Sequence, residues 1–245
     1  MTSPWTFRSL LPFGALSTDS IGCLLAEFGR AGFVSRRNED DGIVCVAGDG
    51  AGVLHFESMR GVIQWLGDAD GLIALENEDG IEFSISIHRA HGILPLEMAG
   101  LPDSPQFDVC ALDVDTFFLS DEYRDRSWSY IDSLIGVVAS TLGPSFIYGM
   151  DEDALEVTRS LQCIHRRVSQ GRMPRVLSWL TEVPENSPLA VQLEVISAVL
   201  NRPIVIRDEY ISLRVTEKPW SSSLALLKRA GELVRDATND SGYRP

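Results

Sequence analysis

Lysine is almost missing from this chain: of 21 basic residues among 245, only Lys218 and Lys228 are lysines. The remaining basic charge is arginine, whose planar guanidinium suits bidentate pairing with carboxylates. Histidine is scarce too, with His55, His88, His91 and His165 making the whole set. A zinc centre needs three or four converging ligands. His88 and His91 stand three apart, and neither Glu82 nor Glu97 completes an H-E-x-x-H pattern, so a surface loop is the better reading. The four cysteines, Cys23, Cys45, Cys110 and Cys163, form no C-x-x-C pair. Their apolar surroundings point to buried free thiols and a reducing, cytoplasmic compartment. No apolar run approaches the roughly 20 residues that cross a bilayer. The longest helix-like run, 131–138, contains Asp132 and Ser133, and residues 1–8 lack the order of a signal peptide.

Catalytic and cofactor signatures are also lacking. There is no G-x-S-x-G elbow and no G-K-[ST]. Gly48-Asp-Gly-Ala-Gly52 resembles a phosphate loop in composition only. A phosphate loop runs into a helix whose N–H groups meet the anion, whereas a strand pattern follows here at 53–57, so a hairpin turn is expected. Asp113-Val-Asp115-Thr116 ends an apolar run and puts two carboxylates on one strand face, where they could hold a divalent cation. It matches the haloacid-dehalogenase D-x-D-x-T only in part, because Phe117 occupies the last position. Cys163 and His165 fall on different faces of a helix. The five tryptophans, Trp5, Trp65, Trp128, Trp179 and Trp220, do not interleave with basic residues and so make no base-stacking platform. Arg159, Arg166, Arg167, Arg172 and Arg175 form the one basic cluster. These features argue against an enzyme and against nucleic-acid binding, and no cofactor or metal is expected.

What the chain has in excess is acid. Asp and Glu number 35, for a net charge of −14. The charge is divided: residues 1–156 hold 26 acids and 8 bases, while 157–245 hold 9 acids and 13 bases. Acidic clusters occur at Glu39-Asp40-Asp41, at Glu76, Glu78 and Asp79, at Asp121 and Glu122 with Asp125, and at Asp151-Glu152-Asp153. All fall at expected turns or helix starts. A solvated surface is the plain reading; the sharper one is a docking face for a basic protein, since complementary charge speeds encounter and narrows partner choice.

Hydrophobic periodicity supplies the architecture. A helix is expected over 19–32, with Ile21, Leu24, Leu25 and Phe28 on one face and Ser17, Thr18 or Asp19 as its cap. Strands are expected at 43–47 and 53–57, a short helix at 59–66, and a hairpin at 72–75 and 81–88. In its second strand Ile81, Phe83, Ile85 and Ile87 face in, while Glu82, Ser84, Ser86 and His88 face water. Residues 89–106, with Pro95, Pro102 and Pro105, read as a connector. Beyond it come a strand at 107–119, helix 128–142, strand 145–149, helix 151–168, strand 175–183 and helix 188–200. A hairpin at 203–206 and 211–215 and a last helix at 224–236 complete the chain. Asp151, Glu152 and Asp153 would suit the positive end of the helix dipole at 151. The expected class is α+β, with antiparallel or mixed sheets and helices packed on one face. The expected organisation is an α+β unit at 1–88, a connector at 89–106 and a second α+β unit at 107–245.

In layout the helix 128–142, the following segment Pro144-Ser-Phe-Ile-Tyr-Gly-Met-Asp-Glu-Asp153 and the late hairpin ending in Glu217-Lys-Pro-Trp220 resemble the bacterial immunity proteins of polymorphic toxin systems. That resemblance implies a cytoplasmic protein whose acidic face covers a cognate toxin's cationic cleft. Two alternatives are carried: a chaperone or adaptor for a secreted protein, and a hydrolase or metal-dependent enzyme using Asp113 and Asp115.

Overall fold

Two sets of antiparallel strands, each with its own helices, make up the protein in a computed structural model. The structure describes residues 5–37, 42–48, 52–89, 107–114, 121–151, 158–174, 177–217 and 224–240. Contacts divide the chain into two compact units. The first is Met1–Leu101 with Gln106–Pro144, and the second is Pro102–Pro105 with Ser145–Pro245.

The first unit runs β1 (Trp5–Pro12), α1 (Thr18–Arg30), β2 (Val34–Ser35), β3 (Ile43–Ala47), β4 (Val53–Phe56), α2 (Met59–Asp68), β5 (Gly71–Glu76), β6 (Glu82–His88), β7 (Phe107–Val114) and α3 (Asp121–Leu142). Its strands pair in the order β1-β7-β6-β5-β3-β4, and β2 joins β5 beyond the end of β3. Every pairing is antiparallel. Period-2 side-chain alternation gives the sheet two faces. One carries Phe7, Phe83, Ile85, Ile87, Ile73, Cys110 and Leu112, all almost fully buried. Aromatic pairs join this face to the helices: Phe28 meets Phe83 at 5.6 Å, and Phe7 meets Trp128 at 6.0 Å.

Local chemistry explains where the helices start and stop. Ser17 Oγ accepts from Ser20 N at 3.1 Å, and Ser20 Oγ accepts from Ser17 N at 2.9 Å. This reciprocal cap satisfies two donors that the first turn of α1 leaves open. At the end of α2, Arg89 donates to the carbonyls of Ala69, at 2.6 Å, and of Leu66, and also to Leu16 O at 3.3 Å. One guanidinium thereby ties the end of α2 to the turn before α1. That turn is also gripped by Asp108, 1% exposed, whose Oδ2 accepts from Gly14 N at 2.9 Å and Leu16 N at 3.4 Å.

The second unit runs β8 (Phe146–Asp151), α4 (Thr158–Ser169), β9 (Leu180–Pro184), α5 (Pro188–Leu200), β10 (Ile204–Arg207), β11 (Tyr210–Arg214) and α6 (Leu224–Asp240). Its strands pair β10-β11-β9-β8, again antiparallel. α5 begins with Pro188 in its first turn, where a missing N–H costs nothing. It buries Leu189, Ala190, Leu193 and Ile196. Gln192 on α5 holds the loop that follows α4, accepting from Met173 N at 3.0 Å and donating to Gly171 O at 2.9 Å.

The α+β class and its antiparallel sheets are as expected, and most elements fall within a few residues of their sequence positions. Four differences have physical causes. β1 was not expected, because Trp5 to Leu11 carries no clean alternation; both faces of this strand are buried. β7 and α3 belong to the first unit, since β7 pairs with both β1 and β6; the division at 89–106 is therefore not where contacts separate. Asp151 ends β8 instead of opening a helix, and α4 starts at Thr158. Lastly, the outer face of β6 is not open to water, because Ser86 is 7% exposed.

Candidate functional site: an acidic hairpin beside an apolar cleft

The β5–β6 hairpin carries Glu76, Glu78 and Asp79, and its loop is built to hold them out. Asn77 Oδ1 accepts from Asp79 N at 3.1 Å and Ile81 N at 2.9 Å, an Asx turn that sets the loop. Gly80 follows with φ +71, a left-handed conformation that glycine adopts without strain. Glu78 and Asp79 are exposed at the tip. Tyr130 on α3 donates its hydroxyl to Asp79 Oδ2 at 2.7 Å. That hydrogen bond, and the Asp79 charge behind it, raise the Tyr130 pKa above its ordinary value. The bond joins two acidic segments far apart in sequence, since Asp121, Glu122 and Asp125 lie about two turns toward the N-terminus of the same helix.

The hairpin borders a cleft of about 600 Å³ lined by Leu25, Phe33, Val34, Ile43, Leu75 and Glu76, among others. Phe33 forms its wall, edge-on to Phe83 at 4.9 Å and to Tyr130 at 5.7 Å. Val34 is 60% exposed, an aliphatic side chain at the cleft with no cover of its own. Beside it Arg36 donates to both carboxylate oxygens of Glu82, at 3.0 and 3.1 Å, which neutralises one acid at the hairpin base. Glu76 and Arg37 are the charged residues on the lining of this largely apolar recess, and Glu78 and Asp79 stand at the hairpin tip. Net charge follows the same division: the first unit holds 21 acids and 8 bases, the second 14 acids and 13 bases.

The other expected clusters fare differently. Glu39, Asp40, Asp41, Glu152 and Asp153 lie outside the described residues. Asp121 and Glu122 are in the first turn of α3, and Asp151 is the last residue of β8. Of the expected acids, Glu76 is thus the one on the cleft lining, with Glu78 and Asp79 at the tip of its hairpin.

On the outer face of the same sheet is a second polar group that sequence reasoning treated only in pieces. Asp113 Oδ2 accepts from Ser86 Oγ at 2.9 Å, while Asp115 lies outside the described residues. Strand register sets Arg8 opposite Ala111, which in turn faces Ser86. His88 stands two residues along β6, in the field of Arg8, Asp70 and Asp113. Burial chiefly, then Arg8, lowers its pKa below the ordinary value. Among the described residues no group of three metal-ligating side chains converges. His165 is buried in the second unit, with Nε2 at 3.2 Å from the Tyr148 hydroxyl. The ladder pairing that assembles Arg8, Ser86, His88 and Asp113 is long-range, so no local motif announces it.

The fold and the cleft together define an α+β protein of two antiparallel-sheet units with an acidic recess on the first. No protein-family model matches the chain, and no curated protein matches it significantly. Among solved structures it is similar to the Pseudomonas aeruginosa T6SS protein PA0821, at 13% identity over 95% of this chain and 73% of that one, with a TM-score of 0.49. No helix among the described residues is long and apolar enough to cross a membrane.

Proposed function

We propose that this protein binds and neutralises a basic protein partner, in the manner of an immunity protein covering its cognate toxin. The observation that carries this reading is a largely apolar cleft with Glu76 on its lining and Glu78 and Asp79 at the tip of the same hairpin, on the unit that holds most of the negative charge. An apolar recess supplies residence time through burial, and the acidic edge selects a cationic surface and speeds its approach. Small-molecule catalysis has less support, because Glu78 and Asp79 are exposed and Glu76 is half-buried beside a hydrophobic wall, with no water-excluding pocket around them among the described residues.

The test uses the product of the adjacent gene, co-expressed with the chain and assayed both for growth arrest and for complex formation. The wild-type chain is expected to relieve arrest and to bind the folded partner. The triple variant Glu76→Lys/Glu78→Lys/Asp79→Lys should bind about tenfold or more weakly, mostly through slower association. Affinity should fall as salt rises from about 50 mM to about 500 mM, because exposed charge is screened. Equal affinity across that range would remove the electrostatic basis of the proposal. A chain that bound only the unfolded partner would instead be a chaperone, for which the apolar cleft alone suffices.

A further inference from the structure

We infer that the second unit self-associates through the open edge of β10, giving a two-fold dimer of this chain. β10 lies at the end of its strand order, and among the described residues no strand pairs with its far side. Which backbone groups face that side follows from the ladder. Glu185 N donates to Glu209 O at 2.8 Å and Val215 N to Trp179 O at 2.9 Å, so odd-numbered residues of β11 turn to β9. Tyr210 and Ser212 then turn to β10, where they face Arg207 and Val205. The N–H and C=O groups of Ile204 and Ile206 are left pointing outward.

β10 is short, follows Pro203 and ends on Arg207, yet its apolar stretch carries no charge or bulge of the kind that usually protects an edge. Ile204, Val205 and Ile206 carry no charge, and no bulge interrupts the pairing of β10 with β11. Val205 is 45% exposed and Ile206 64%.

Register identifies the occupant as a second copy. Opposed residues in an antiparallel pair must both point toward each other or both away. Centring the two-fold axis on Val205 meets this rule and pairs Ile204 with Ile206 of the other copy, twice. All four outward groups of each strand are then satisfied. Val205 meets its own counterpart on one face, and the isoleucines meet across the axis on the other. The same register brings Arg202, just before the strand, to the level of Asp208 in the β10–β11 turn of the other copy, at both ends. Both side chains are exposed. Arg202 is held in place, its N–H donating to Ser197 O at 3.0 Å and its carbonyl accepting from Ser197 Oγ. Centring on Ile206 instead would set Ile204 against Asp208, whose φ of +50 takes it out of the strand. The self-complementary charge at the ends is what selects a copy of this chain over an unrelated strand.

Sedimentation velocity over about 5 to about 200 µM tests this, since mass action makes a dimer concentration-dependent. The wild-type chain is expected to dimerise within that range. Val205→Lys sets like charges against each other on the axis and should raise the dissociation constant at least about tenfold. Circular dichroism and an unchanged urea midpoint would establish that the variant is folded, as an exposed site permits. Arg202→Asp and Asp208→Lys should each dimerise poorly alone and form a heterodimer when mixed, because the mixture restores both end pairs. A wild-type chain that stays monomeric throughout would overturn the inference. A dimer that survives Val205→Lys, or swap variants that gain nothing on mixing, would place the interface elsewhere and overturn it equally.

Discussion

Replacing Gly71 by alanine tests the packing of the first unit at one of its tightest points. A Cβ there would lie 2.1 Å from Trp65 Cη2 and 2.8 Å from Cζ2 and Cζ3. Both sides are restrained. Gly71 opens β5 and is held between Ala47 on β3 and Ile87 on β6. The Trp65 ring projects from α2 and is stacked on Phe56 at 5.4 Å. Adding one methyl group to such a site costs typically 1–3 kcal/mol, and the backbone restraint on both edges argues for about 2–3. Urea unfolding followed by circular dichroism measures the loss. Trp65→Ala supplies the control, since it removes the ring that the methyl group strikes. In that background Gly71→Ala should be neutral or stabilising by about 0.5 kcal/mol, because alanine loses less backbone entropy than glycine. The coupling between the two substitutions should then be about 2 kcal/mol or more. A Gly71→Ala cost that is the same with and without the Trp65 ring would refute the steric argument.

Two further predictions concern titration. His88 has its pKa lowered by burial and by Arg8, so the folded state binds fewer protons than the unfolded chain below about pH 6.5. Stability should therefore fall as the pH drops from about 6.5 toward the folded pKa. Urea midpoints of His88→Gln should lose that slope, and an unaltered slope would assign it to other groups. Cys45 and Cys110 are fully buried, and burial pushes both thiols up to about 12. Cys23 is exposed. In a Cys163→Ser background a maleimide should label one thiol at pH 7, and peptide mapping should find it at Cys23. The same burial gives stability that is complete below about pH 9 and is lost as the pH rises toward about 12, because the unfolded thiols ionise first.

The elements legible in advance were those with one buried face. α1 buries Ile21, Leu24, Leu25 and Phe28, the stripe its spacing shows, and the inward residues of β6 are the ones its alternation marks. α5 starts after Ser187 with Pro188, as expected. β1 was hidden for the opposite reason. A strand buried on both faces has no period to read, and the polar Thr6 and Ser9 are buried along with Phe7 and Leu10. Asp151 misled because an acidic triplet ahead of an apolar periodic stretch has the composition of a helix start, while hydrogen bonding carried β8 through to that residue.

Sequence by itself determined the class of this protein, its excess of acid, and the exposed hairpin at 76–80, because composition, period and turn chemistry are local properties. Tertiary structure decided where that acid acts. The Tyr130–Asp79 bond and the Phe33 wall join residues about fifty or more positions apart to make the recess. It also decided the division into units, since pairing of β7 with β1 and β6 draws residues 107–144 back to the first sheet. The open edge of β10 belongs to the same category: a strand has an unpaired side only once its neighbours have been chosen, and long-range hydrogen bonding makes that choice.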